Sequence, residues 1–294
     1  MKILVPATSA NMGPGFDSLG VALKFYNQIE IQRSKIFSVS VFGEGAKALK
    51  MKRSNIFLNV FREHYEALVG NGSAFRFRFE NSIPLSRGMG SSSAVIVSAI
   101  YAAHIMAQNT VDKHAVLKAA LKHEHHPDNI TPATFGGFCV CVAENDTISF
   151  VRTVLDDRLR AVMVIPDKPI STRQSRGLLP KRIGLKDTVF NLSRSSLLTA
   201  ALIQKQYDAL IAASQDRLHQ DIRMRLLPAL FDVRKTALAN GALMSALSGS
   251  GSSFFNLAAN DDDAQKIAAQ MRKKFPYFRT EILEFDAQGV HSKE

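Results

Sequence analysis

The chain has 294 residues, 46% hydrophobic and 21% charged, enough for a sizeable core and better suited to two modest domains than to one. Its 37 basic and 26 acidic residues leave a net charge of +11, a bias toward anionic partners that nucleic acid, a membrane surface or a phosphorylated small molecule would each satisfy. No apolar run is read as long enough to span a bilayer, the amino terminus has no signal-peptide architecture, and Cys139 and Cys141, two apart on one strand, suit a reducing cytoplasm rather than a disulfide scaffold.

Residues 3–7 predict a short strand. It runs into Thr8–Gly20, a loop dense in glycine, proline and hydrogen-bonding side chains but interleaved with Met12, Phe16 and Leu19. Such a loop should pack inward and offer substrate contacts. Residues 25–42 alternate well enough for one or two strands, over Ile29–Gln32 and Phe37–Val41. Residues 55–69 carry helical apolar spacing at Ile56, Val60, Phe61 and Leu68. Phe75-Arg76-Phe77-Arg78-Phe79 alternates strictly; an RNA platform and a half-buried strand both fit that pattern, and the strand is the simpler reading. The densest basic clusters, Lys47-Lys50-Lys52-Arg53 and Arg173-Arg176-Lys181-Arg182, are short and lack aromatic neighbours for stacking.

The chain is organised around Pro84-Leu85-Ser86-Arg87-Gly88-Met89-Gly90-Ser91-Ser92-Ser93-Ala94, followed by the apolar run Val95–Ala107, which reads as a buried helix. Two glycines allow tight curvature and leave backbone amides bare. A Gly/Ser loop that opens a helix is a phosphate cradle, because the first N–H groups are unsatisfied and the dipole favours an anion. A Walker A loop would end in lysine, and a dinucleotide fingerprint would have glycine where Ser93 stands. Asp112 is at a tolerable distance for a ribose contact, but no strand–helix alternation surrounds it. An ordinary serine-capped helix is the remaining alternative.

A second helix over about 112–124 places Val116, Leu117, Ala120 and Leu121 on one face and ends in His123-Glu124-His125-His126-Pro127-Asp128-Asn129. Its histidines invite a zinc reading, but their spacing fits no standard ligand pattern. The stretch continues through Gly136-Gly137 into a strand, Phe138–Val142. From about residue 148 the organisation restarts, with strands at 148–155 and 159–165, a helical region at 187–213 and a helix near 228–240. Two strand-like pieces around Ser248–Phe255, a helix at 262–274 and a strand at 281–285 follow. That order predicts a ferredoxin-like α+β half, and the lack of a linker predicts halves that pack closely.

Pro84–Ala94 resembles the phosphate-binding motif of the GHMP kinases, with Met89 and Ser93 replacing the usual leucine and alanine. Leu247-Ser248-Gly249-Ser250-Gly251 resembles their third, glycine-rich motif. Pro6–Asp17, and the segment from Glu124 through His126–Asn129 to Gly136-Gly137, look like the homoserine kinase family of that superfamily. The resemblance implies a two-domain α+β GHMP kinase fold: a ribosomal-protein-like, ATP-binding amino-terminal half over residues 1–155 and a ferredoxin-like half over 156–294. It implies ATP-dependent phosphorylation of L-homoserine in threonine biosynthesis, in the cytoplasm. A GHMP kinase acting on a mevalonate-type or sugar alcohol, and an RNA-binding protein, stand as alternatives.

The same resemblance implies roles. Pro84, Leu85, Ser86, Arg87, Gly88, Met89, Gly90, Ser91, Ser92, Ser93 and Ala94, with Gly249, Ser250 and Gly251, would hold ATP. Asn55 would lie on the adenine side or else cap the 55–69 helix. Ser92 and Glu124 would hold Mg²⁺, a hard cation that favours oxygen ligands. Arg176 and Arg223 would take the homoserine carboxylate, for which a guanidinium fork is suited. Asn11, Asp17, His126 and Asn129 would surround the amino and hydroxyl ends, with Asp17 pairing the ammonium. Catalysis is then positioning and charge neutralisation: Asn129 orients the hydroxyl and its proton passes to the phosphate, with Asp128 as the rival base. A homodimer is the family expectation, and neither nucleic acid nor membrane is expected as a partner.

Overall fold

Strand β1 (Lys2–Ala10) is buried along nearly its whole length inside a seven-stranded sheet of the computed structural model, which describes residues 1–47, 55–70, 72–108 and 110–293. Lys50, Lys52 and Arg53 of the first basic cluster lie outside those residues. On one side β1 pairs with β2 (Leu19–Arg33), and the register shifts between Pro6 and Ala7, where proline can donate no ladder hydrogen bond. β2 pairs at its start with β5 (Phe138–Glu144) and at its end with β4 (Phe75–Asn81). β3 (Ser38–Gly43) runs parallel to β4, and β6 (Thr147–Thr153) pairs with β5. The strand expected from residue 25 thus begins at Leu19. Its first five residues are all buried, so no alternation marks them.

Helix α1 (Ile56–Val69) covers β4. Phe75, Phe77 and Phe79 are buried against Phe57, Phe61 and Tyr65, with ring centroids 5.0 Å apart for Phe57–Phe79 and 5.2 Å for Phe61–Phe75. The phenylalanine face of this strand is therefore core, and Arg76 and Arg78 stand on the exposed face. Helix α2 (Ser91–Gln108) starts at the hydroxyl run itself. At 18 residues it meets the length and apolarity of a membrane span, contrary to the reading that began it at Val95. More than half of it is buried in the protein, as a core helix requires. Helix α3 (Lys113–Leu121) is capped by Asp112, whose carboxylate accepts from His114 N at 2.8 Å; this is the role Asp112 has. Helix α4 (Pro127–Phe135) was unforeseen, because Pro132 lies inside it. Proline there frees the carbonyl of Asp128, against which Gly20 packs so closely that a Cβ would come within 1.8 Å.

The second half is an antiparallel sheet of β7 (Arg160–Ile165), β8 (Met244–Leu247), β9 (Phe254–Ala258) and β10 (Arg279–Leu283) in the order β10-β7-β9-β8. Its helices are α5 (Thr172–Gly177), α6 (Leu185–Ile203), α7 (Leu210–Ala213), α8 (Gln220–Met224), α9 (Ala229–Ala239) and α10 (Asp261–Lys274). The β7-helices-β8-β9-α10-β10 succession is ferredoxin-like, as expected. The helical region predicted at 187–213 breaks after Ile203, where Lys205 takes a positive φ of 59°. Along β7 the faces divide: Ala161, Met163 and Ile165 join the large core continuous with the first sheet, whereas Val162 and Val164 join a second core under α9 and α10. The halves therefore share one core rather than touch at a polar seam. The chain finally returns to the first sheet, where β11 (His291–Lys293) pairs with β1 and Asp286 accepts from the Tyr26 hydroxyl at 2.7 Å.

Candidate active site

Between the two sheets, four backbone hydrogen bonds draw separate loops together: Thr8 N to Met89 O, Gly249 N to Ala10 O, Ser253 N to Arg87 O and Ile170 N to Ser86 O, at 2.8–3.2 Å. The glycines of the central loop sit at these junctions. Gly88 has φ of 75°, and a Cβ there would come within 2.0 Å of Ser248 O; Gly90 has φ of 67°, and its Cβ would come within 1.9 Å of Thr8 Oγ1. Glycine is thus demanded here by left-handed backbone and by neighbouring chain, besides any need for bare amides. Ser248 completes the junction, its hydroxyl donating to Gly88 O at 2.6 Å and lying 2.9 Å from Ser9 Oγ.

These loops enclose a cleft of about 410 Å³. Its walls bring together Leu85 through Ser93, Asn55, Glu124, Gly249 and Ser250 with Asn11, Asp17, His126, Asp128, Asn129, Arg176 and Arg223. Three residues named for ATP do not line it: Pro84 and Ala94 are buried beneath the loop, and Gly251 is turned back to donate to Ser248 O. Arg87 does line it, but its guanidinium is committed to Pro166 O, Leu85 O and Asp167, so it fastens the loop to the second half. Asn55 caps α1 through Oδ1, which accepts from Phe57 N at 2.9 Å, while the residue still faces the cleft. At the other end of the loop the first-turn amides of α2 precede the bond from Ala94 N to Gly90 O, and are free to receive an anion.

The same cleft is lined by a compact charged group. Arg176 pairs with Asp17 at 2.5 Å, and the guanidinium carbons of Arg176 and Arg223 lie 5.2 and 5.1 Å from the Phe16 ring centre. Arg223 is only 2% exposed. Burial and the nearby Arg176 lower its pKa to about 10, so it stays charged at neutral pH. It donates to Gly249 O at 3.2 Å and to Nδ1 of the buried His219 at 3.3 Å. His219 in turn holds Gly13 O at 2.7 Å through Nε2, a pattern that needs the neutral ring; burial lowers its pKa accordingly. Asp216 anchors the start of α8 by accepting from His219 N, Gln220 N and Asn191. Arg223 therefore sits on a rigid base.

The third wall is α4. His126, just before it, is hydrogen-bonded through Nδ1 to Glu124, and that bond chiefly raises its pKa. Asp128 is 1% exposed; burial first, then the charge of Asp17, pushes its pKa up to about 7. Asn129 accepts from the Thr8 hydroxyl at 2.8 Å and points Nδ2 toward Asp128 Oδ1 at 3.4 Å. Asn11, held left-handed at φ of 66°, donates to Gly249 O and accepts from Asp17 N.

Several cleft residues escaped the sequence reading. Ile170, Ser171 and Thr172 line it, and Ser171 caps the short helix that carries Arg176. The Ser-Thr pair ahead of Arg176 was a capping signal that could have been read. Thr8 and Phe16 lie in the inward-packing first loop, but their partners Asn129, Arg176 and Arg223 are far away in sequence, and nothing local announces His219.

Residues 53–137 match the family described as GHMP kinases N terminal domain, and residues 198–276 match GHMP kinases C terminal. A homoserine kinase of Campylobacter lari is 53% identical over 98% of this chain and 99% of its own length. One from a Nitratiruptor species is 52% identical over the full length of both. Among solved structures, homoserine kinase from Cytophaga hutchinsonii superposes with a TM-score of 0.88 at 28% identity, covering 99% of this chain and 96% of that one. The mevalonate kinase of L. major, at a TM-score of 0.75 and 17% identity over 98% and 96%, shares the fold.

Proposed function

Because the chain belongs to the GHMP kinase family, with relatives of about half-identical sequence named homoserine kinases, we propose that it uses ATP to phosphorylate the side-chain hydroxyl of L-homoserine, giving O-phospho-L-homoserine and ADP. The carrying observation is the charged group that lines the cleft with the phosphate loop: two guanidiniums over Phe16 beside the Asp17 carboxylate. An α-amino acid presents one carboxylate and one ammonium on adjacent bonds, and this group answers both charges. A mevalonate-type substrate has no ammonium for Asp17, and a sugar alcohol has neither charge. Coupled ADP release over a panel of alcohols tests this. Homoserine should exceed mevalonate and galactose by about 10⁴-fold or more in kcat/KM, the scale on which a polar site rejects an analogue that leaves its buried groups unpaired. No turnover of homoserine at millimolar concentration refutes the proposal.

In this reading the Ser91–Ser93 amides hold the triphosphate at the start of α2. Mg²⁺ suits the cleft, because the Ser92 hydroxyl and the Glu124 carboxylate that line it are hard oxygen donors. When bound, the ion would neutralise charge developing on the phosphates. Arg223 and Arg176 bind the carboxylate, and Asp17 is shared between Arg176 and the ammonium. Thr8 fixes the Asn129 amide, which orients the hydroxyl, and the proton leaves with the transferred phosphate. Burial of both cysteines as free thiols fits a cytoplasmic enzyme. A homodimer completes the reading, and the exposed Leu185, Val189 and Leu192 of α6 would suit its interface.

Asp128 provides a test of the base-free route. Asp128→Asn should lower kcat by no more than about tenfold, whereas a loss of about 10³-fold would mark a general base. Its stability should move the other way. The folded-state pKa is raised from 3.8 to about 7, so the folded chain binds more protons than the unfolded one across that window. Wild type therefore loses stability as pH rises from about 4 to 7, and the asparagine variant should not. Thermal melts should show the variant gaining on wild type up to pH 7 and a constant difference above it.

A further inference from the structure

A second group of ligating side chains lies outside the cleft. His64 projects from α1 and His123 from the turn after α3, and their Nε2 atoms are 3.0 Å apart. Glu63 brings a carboxylate oxygen to 3.9 Å from the same His123 nitrogen. Among the described residues, these three offer ligand atoms that all lie within 4.8 Å of one another. None of them lines the cleft.

Two imidazole nitrogens on one tetrahedral zinc, each about 2.0–2.1 Å from it, stand roughly 3.3 Å apart. The His64–His123 pair is a few tenths of an ångström from that spacing. A ring-to-ring hydrogen bond would account for two of the groups and leave the approach of the third unexplained. The Glu63 side chain is 65% exposed and free to close the remaining distance, while that of His123 is 20% exposed. His64 is half-buried and directs its Nε2 at that of His123. His104 and Lys122 are the other charged or titratable groups facing it. The adjacent histidines of the sequence, His125 and His126, are not part of the cluster; its second imidazole comes from 59 residues upstream of His123.

We propose that Glu63, His64 and His123 form a site for a divalent transition-metal ion of the zinc class, separate from the nucleotide cleft, with three protein ligands and a position open to water. The ion ties α1, whose capping Asn55 faces the cleft, to the turn that carries Glu124 into it. Occupancy stabilises the amino-terminal half by mass action.

Titrating Co²⁺ into the metal-free full-length protein should give one tight equivalent with the visible bands of four-coordinate cobalt, displaced stoichiometrically by Zn²⁺. His64→Ala and His123→Ala should each weaken Zn²⁺ by at least about 100-fold, more than the loss of a supporting outer group costs. His126→Ala, in the cleft, should leave the equivalent intact. Kinase turnover with Mg²⁺ and far-ultraviolet circular dichroism check that His64→Ala folds. If it does not, Glu63→Gln on an exposed side chain takes its place and should weaken Zn²⁺ about tenfold. No tight equivalent in wild type, one that survives loss of His64 or an unaltered affinity in Glu63→Gln, or one that disappears with His126 would each overturn the proposal.

Discussion

Gly88→Ala should lower kcat/KM for ATP by about 10³-fold while leaving both hydrophobic cores folded. The scale is that of losing an oriented set of backbone donors at a transferring phosphate. Alanine at φ of 75° is strained to begin with, and its Cβ would be driven to 2.0 Å from Ser248 O and 3.0 Å from Gly251 N. Both neighbours are backbone atoms, so no side-chain rotation relieves the contact. The loop must retreat from the β8–β9 turn, breaking the bonds from Ser253 N to Arg87 O and from Ser248 Oγ to Gly88 O. A shift of about 1 Å in a positioned reactant already costs about 10²-fold, and here the whole cradle moves. Ser248→Ala is the control: it removes the 2.6 Å hydroxyl bond without adding bulk and should cost about tenfold or less. Steady-state kinetics with ATP varied at saturating homoserine decide it. A Gly88→Ala enzyme within tenfold of wild type would mean that the cradle is not shaped by this junction.

That junction shows how far the sequence carries. The Gly/Ser loop is readable because its function demands an unusual local composition, and β4 because one buried face imposes strict alternation on Phe75–Phe79. Most cleft residues lie in segments that resemble family motifs, and for Asn55, Arg176 and Arg223 that resemblance, not local composition, is what points to them. The reason for Gly88 was not readable, since its partner Ser248 is 160 residues away. Helix α4 was hidden by Pro132, which only the approach of Gly20 to the Asp128 carbonyl makes comprehensible. The break after Ile203 rests on one left-handed residue, Lys205, that a helical pattern runs straight through. The pairing of Arg176 with Asp17 was also invisible: the two were assigned to opposite charges of a substrate, and in the free protein they satisfy each other. Under the proposed function, substrate would insert into an existing ion pair. Arg223 has no such acidic partner among its hydrogen bonds, and its Nε is buried without one.

The unmatched charge on Arg223 makes it the position where loss of a substrate contact is best isolated. Arg223→Met keeps the length and apolar stem of the side chain but removes the fork. It should lower kcat/KM for homoserine by about 10³-fold, the middle of the range for truncating one partner of a buried charge pair. Arg223→Lys should recover only part of this, because a point charge cannot meet both carboxylate oxygens. The discriminating substrate is 2-amino-1,4-butanediol, which has the ammonium and both ends of the carbon chain but no carboxylate. Wild type should use it poorly, and the methionine variant should use it within about fivefold of wild type, because an interaction absent from the substrate cannot be lost. KM for ATP should stay level in both variants. His219 is neutral and Asp216 holds α8 through backbone amides, so the base beneath Arg223 survives the substitution. An equal fall on both alcohols would show instead that Arg223 serves the shape of the cleft through Gly249 and His219, and the carboxylate would then belong to Arg176 alone.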